Sequence, residues 1–127
     1  MWDSDPKELQ KAIEETIGPE AVKYEIRFRP MFGGIMAYAF GRPFASLSIA
    51  GIALKLSEDD RCRLIEKEGG YPLRYKPDDP PSKSYTIIPE RTVAAKGEKL
   101  KEWLVLSMTY CKSLPLKKKK KKSLRTP

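Results

Sequence analysis

The chain has no histidine among its 127 residues. Ser-His-Asp and Cys-His nucleophilic catalysis, HExxH zinc sites and imidazole acid–base chemistry are therefore excluded. Cysteine is almost as scarce. Cys62 and Cys111 stand far apart with no motif spacing, which offers neither a zinc knuckle nor a disulfide framework and reads as two reduced thiols of a cytoplasmic protein. Both fall in helical patterns, where interior packing is expected of them. No apolar run approaches the ~20 residues of a membrane span, and the first residues are acidic, unlike a secretion signal. A phosphate-cradling loop is missing too, since Gly33-Gly34 is followed by neither GK[ST] nor a helix start. With no constellation for acyl, phosphoryl or hydride transfer, the chain reads as a non-enzyme that needs no cofactor and no metal.

What the chain has in excess is positive charge, concentrated in one place. The formal net charge is +8. Residues 117–127 hold Lys117, Lys118, Lys119, Lys120, Lys121, Lys122 and Arg125 and no acid, and setting these seven aside leaves 18 basic against 17 acidic residues. The domain, residues 1–115, is thus close to neutral, and residues 116–127 read as a separable, disordered polylysine tail. Lysines without interleaved aromatics or glycines meet phosphates and do not read bases. The tail is a candidate for weak, non-specific nucleic-acid contact, for an anionic membrane or an import receptor, or a solubilising end.

Periodicity organises the body. Asp5 as N-cap, Pro6 at the first helical position and Glu8 three residues after the cap predict a helix over 6–17, with Leu9, Ala12, Ile13, Thr16 and Ile17 on one stripe. In residues 24–56, Tyr24, Ile26 and Phe28 alternate with Glu25, Arg27 and Arg29. Three apolar runs follow, separated at Gly41-Arg42-Pro43 and Ala50-Gly51, which predicts an antiparallel meander. Gly33-Gly34 lies inside the first run, where a bulge, a sharp bend or the close approach of another chain is the available reason for it. Ser57 and Asp60 cap a helix to about residue 67. Tyr71, Leu73 and Tyr75 form a short strand that Pro72 assigns to an edge. Residues 76–83 are a loop and 84–88 the last strand. A closing helix over 98–112 carries Leu100, Trp103, Leu104, Met108 and Cys111 on one face, with Val105, Leu106 and Tyr110 widening the apolar arc. The class is α+β, in the order α-β-β-β-α-β-β-α with an extra strand near 24–28.

The run Arg29-Pro30-Met31-Phe32-Gly33-Gly34 resembles the hallmark of the TfoX N-terminal domain, the shared first half of the TfoX/Sxy competence regulators. The resemblance extends through Phe44-Ala45, Leu54-Lys55, Tyr75, Ser84-Tyr85, Pro89 and Trp103, from about residue 5 to residue 114. Ala53 stands where that family usually has an aromatic, and Phe40-Gly41 replaces its usual acidic-Gly turn. The resemblance implies a two-layer fold with a curved antiparallel sheet packed against helices. It also implies a regulatory interaction module with a protein partner and no catalytic residues.

Candidate surfaces follow from these readings. Met31, Phe32, Gly33 and Gly34 are the candidate binding element. Met31, Phe32, Met36 and Tyr38 line an apolar groove or, more simply, pack the sheet against the helices. Tyr71, Tyr75 and Tyr85, near Arg74 and Lys76, offer a stacking platform for bases or lie beneath the terminal helix. The carboxylate pairs Asp59-Asp60 and Asp78-Asp79 read as a helix-start pair favoured by the dipole and a solvated loop pair. Because every stripe and cap lies between residues 5 and 114, deleting 116–127 should move the thermal midpoint by less than ~5 °C, the shift that about 1 kcal/mol produces. A larger drop in a melting experiment would contradict the separability of the tail.

Overall fold

The structure is a computed structural model that describes residues 5–31, 33–74 and 84–114. Two boundary signals of the sequence are visible as hydrogen bonds. The Asp5 carboxylate accepts the Lys7 amide at 3.0 Å and opens α1, Pro6–Ile17. The Ser57 hydroxyl accepts the Asp60 amide at 3.2 Å and opens α2, Glu58–Arg63, which widens into a π turn over Leu64–Glu68. Each cap satisfies an amide that a first helical turn leaves without a partner. Six strands follow the chain as β1 (Arg27–Met31), β2 (Gly34–Ala39), β3 (Arg42–Ser48), β4 (Gly51–Lys55), β5 (Tyr71–Pro72) and β6 (Tyr85–Ile87). Helices α3 (Glu90–Ala95) and α4 (Glu98–Ser113) come last.

The strands form one antiparallel sheet in the order β1-β2-β3-β4-β6-β5. The fold is α+β, as the pattern predicts, with local differences, one being that, among the described residues, the strand expected over Tyr71, Leu73 and Tyr75 is paired only at Tyr71 and Pro72. The strand expected near 24–28 begins at Arg27 instead, because Glu25 takes left-handed backbone at φ 52° and turns the chain at Tyr24. The turn before β3 falls on Phe40 and Gly41, both at positive φ (56° and 78°), so Arg42 and Pro43 already belong to the strand. Two adjacent residues of positive φ match the twist of a tight hairpin. A fourth helix, α3, was absent from the expected order because six residues are too few for a periodic signal. The expected loop over 76–83, Tyr75 and the tail over 116–127 lie outside the described residues.

One core joins the helices to one side of the sheet. α1 and α4 lie against β2, β3 and β4, and against each other. Leu9, Ala12, Ile13 and Ile17 of α1, and Leu100, Trp103, Leu104, Met108 and Cys111 of α4, are all buried. They meet Ala37, Leu47, Ile52 and Leu54 of the sheet in a single cluster. Between Ala37 and Tyr38 the β2–β3 register slips by one residue. A bulge of this kind bends a strand and re-aims a side chain, and it sets Phe44 beside Ala45 on the helix side. The buried Ser107 hydroxyl sits 3.0 Å from the Phe44 carbonyl and 2.8 Å from that of Lys55, so the polar seam between α4 and the sheet is satisfied rather than stranded. Pro30 occupies edge strand β1, where its missing N–H costs least.

The end of α4 is held by a residue from the sheet. The Arg42 guanidinium donates to the carbonyls of Cys111 at 2.6 Å and Lys112 at 2.8 Å, and also reaches that of Leu114. Carbonyls of a last helical turn have no partner within the helix, and a cation there complements the dipole. Replacing Arg42 with Met keeps the apolar stem and removes the donors. Arg42→Met should cost about 2 kcal/mol, read as a lower midpoint in thermal or urea unfolding. An unchanged midpoint would show that water serves these carbonyls equally well.

Candidate functional site

Facing residues of paired strands share one side of a sheet, so the register fixes what the other side carries. Ala37, Ala45 and Leu54 stand in one row and point into the core. The neighbouring row runs Arg29, Met36, Ser46, Ala53, Ile87, Tyr71 across all six strands, and by strand alternation it points the opposite way. Arg27 lies across from Tyr38, Met31 from Gly34, and Lys55 from Tyr85 on that same side. Among the described residues, no helix packs on it.

This second face has two unequal halves. Toward β5 it is closed: Ala53, Leu73 and Ile87 are buried in a small cluster with Ala50 and Tyr85. Toward β1 it is open. Arg27 and Arg29 are exposed, Met31 is 39% exposed, and Met36, Tyr38 and Ser46 are half-buried. The Arg29 guanidinium lies 5.9 Å from the centre of the Tyr38 ring, within the range of a cation–π contact. The strand positions of its open half hold Arg27 and Arg29 and no Asp or Glu.

Several expectations are corrected by this arrangement. Met31, Met36 and Tyr38 do not pack the sheet against the helices, because the helices occupy the other side. Tyr71, 47% exposed, and Tyr85 share the helix-free face and do not lie beneath α4; Tyr75 and Lys76 are outside the described residues. Cys111 is buried, but Cys62 is exposed on α2. Burial pushes the Cys111 thiol pKa up, against the opposing pull of Lys55, the Ser107 hydroxyl and Arg42. Asp59 and Asp60 sit in the first turn of α2, where Asp60 pairs with Arg63 at 2.9 Å. Asp78-Asp79 falls outside the described residues, as does the candidate nucleic-acid tail from Lys117 to Lys122 and Arg125.

The candidate element Met31, Phe32, Gly33 and Gly34 is the tip of the β1–β2 hairpin, with Phe32 outside the described residues. Its two glycines answer different needs. Gly33 turns the chain at φ 80°, a conformation that costs other residues strain. Gly34 has ordinary backbone, but a Cβ on it would overlap the Leu47 carbonyl oxygen of β3. Two shallow grooves lie beside α1, one of about 340 Å³ against Ile26 and Phe28 and one of about 470 Å³ against Pro30 and Ile35.

Among the described residues, no group of three or more Cys, Asp or Glu side chains is placed to hold a metal ion. No helix among them is long and apolar enough to cross a membrane. No protein family, curated protein or solved structure matches the chain. Sequence reasoning missed Arg27 and Arg29 as site residues. The signal was their alternation with Phe28, which says that they leave the core but not that the surface they share lacks a helical cover.

Gly34→Val should destabilise the protein by several kcal/mol, because the oxygen it would strike is backbone and cannot rotate away. The measurement is urea unfolding of the variant beside Gly33→Ala, which is strained by dihedral alone. Near-parental stability of Gly34→Val would mean that β3 shifts at little cost.

Proposed function

We propose that this chain is a non-enzymatic regulatory interaction module of the cytoplasm, of the TfoX N-terminal kind, which receives its partner on the open half of its sheet. The observation that carries the reading is the exposure of Arg27, Arg29 and Met31 beside Tyr38 on a face that no described helix covers. Apolar and cationic side chains left together at a surface mark interaction sites more often than isolated ones do. Of these, Arg29 and Met31 belong to the sequence element that carries the family resemblance, so a shared role would lie at the β1–β2 hairpin. A second reading rests on composition: seven positive charges in residues 117–127 would serve a nucleic-acid accessory protein that binds through its tail without sequence preference.

Reversing the charges separates these readings. The full chain carrying Arg27→Glu and Arg29→Glu should lose the partner that co-purifies with the parent from its native cell, with the fold intact by circular dichroism. Lys7→Glu with Lys11→Glu, on the exposed side of α1, should keep it. A partner retained by the Arg27/Arg29 variant and lost on removing residues 117–122 would transfer the function to the tail.

A further inference from the structure

We infer that the occupant of the open half-face is single-stranded nucleic acid, with Arg27 and Arg29 on successive phosphates and a base stacked on Tyr38. This rests on reading that face as the interaction surface. The first support is the sign of the charge. The body carries nearly balanced charge in total, yet the charged strand residues on the open half of this face, Arg27 and Arg29, are both cations. Three lysines of the helical side are paired with acids: Lys96 with Glu15 at 3.0 Å, Lys99 with Glu68 and Lys101 with Glu20, both at 3.4 Å. A polyanion on the β1 half of this face therefore meets guanidinium groups and no strand carboxylate.

The second support is spacing. Two positions apart on one strand, Arg27 and Arg29 are separated by about 7 Å along it, a step that an extended phosphate backbone can follow. Tyr38 stands directly across from Arg27, and Met36 from Arg29. Bases of a strand tracking β1 would therefore lie over the ring and the thioether. Every base has a π-face, so an aromatic side chain next to cations suits single strands whatever their sequence. The next strand inward supplies Ser46, a small polar floor that lets the ligand approach and offers a hydroxyl.

Other occupants fit less well. A duplex is read by an element that enters its groove, and this sheet face projects none. A second copy stacked face to face would bring guanidinium against guanidinium, which is costly. An acidic peptide matches the charge but makes no use of the Tyr38 ring.

The test uses the full chain with Lys117, Lys118, Lys119, Lys120, Lys121 and Lys122 all changed to Ser, which removes the tail's phosphate contacts and leaves the body untouched. The probe is a fluorescent oligouridine of about 12 nucleotides, a length within the site sizes of sheet-based binders, followed by anisotropy over a salt series. The serine-tail chain should bind it. Adding Arg27→Gln and Arg29→Gln should weaken binding at least ~5-fold and flatten the log–log salt slope by about 1.4, two contacts at ~0.7 each on a single strand. Tyr38→Phe should bind like the parent and Tyr38→Ala at least ~5-fold more weakly. If Tyr38→Ala fails to fold, the arginine pair decides. No binding by the serine-tail chain, or binding indifferent to the arginine pair, overturns the inference. Equal affinity for a polyglutamate peptide overturns it in favour of an acidic protein segment. Should the oligonucleotide be ignored while Arg27→Glu with Arg29→Glu still strips the cellular partner, this inference falls alone and the interaction reading stands. If that reversal leaves the partner in place, both fall.

Discussion

The seating of α4 across β2, β3 and β4 is the contact on which the remaining architecture depends. Trp103, Leu104 and Met108 supply its apolar centre, and Ser107 and Arg42 close polar seams that burial would otherwise leave open. The energies rank clearly. Truncating a buried aromatic costs about 3–5 kcal/mol, whereas the exposed ion pairs around the helices contribute about 0–1 each. Trp103 retains one unmet demand, because its indole N–H has no acceptor in the structure. That shortfall is worth about 1–3 kcal/mol, less than the ring contributes by burial, and the Arg63 guanidinium packs 4.9 Å from the ring centre. With α4 fixed there, α1 and α3 gather beside it, and the opposite side of the sheet is left to other duties.

One-sided packing also sorts the charges. Glu15, Glu20 and Glu68 sit among the helices with lysine partners, while the β1 half of the other face keeps Arg27 and Arg29 without any strand acid nearby. A near-neutral sum therefore hides a local excess. Net charge describes solubility and long-range attraction, but short-range recognition responds to the field a few ångströms away.

Much of the fold was legible because local rules agreed with one another. Asp5, Pro6 and the stripe from Leu9 to Ile17 place α1 where it stands, and Ser57 opens α2 by the capping bond its sequence suggests. Of the reasons the sequence offers for Gly33-Gly34, the hairpin puts a sharp bend at Gly33 and the close approach of another segment at Gly34. What local rules could not supply was sidedness. Alternation in β2 separates Ala37 from Met36 and Tyr38 but does not say which set the helices will cover, and two methionines beside a tyrosine look like core when the choice is made on hydropathy alone. The alanines prevail because a helix can approach them closely, which leaves the larger side chains on the open side. Arg42 was illegible for another reason: its partners lie about seventy residues away, at the end of a helix, beyond any periodic window.

Pro30 has a further consequence at the rim of the sheet. An exposed strand edge is a template on which another chain can add hydrogen bonds, the first step toward fibrils or disordered aggregates. Here one rim is β1, interrupted by an imide that donates nothing, and the other is β5, only two residues long and itself ending in Pro72. Growth by strand addition is blunted at both ends. A surface that displays methionine and tyrosine to solvent can thus be kept in a crowded cell without the sheet beneath it becoming a seed.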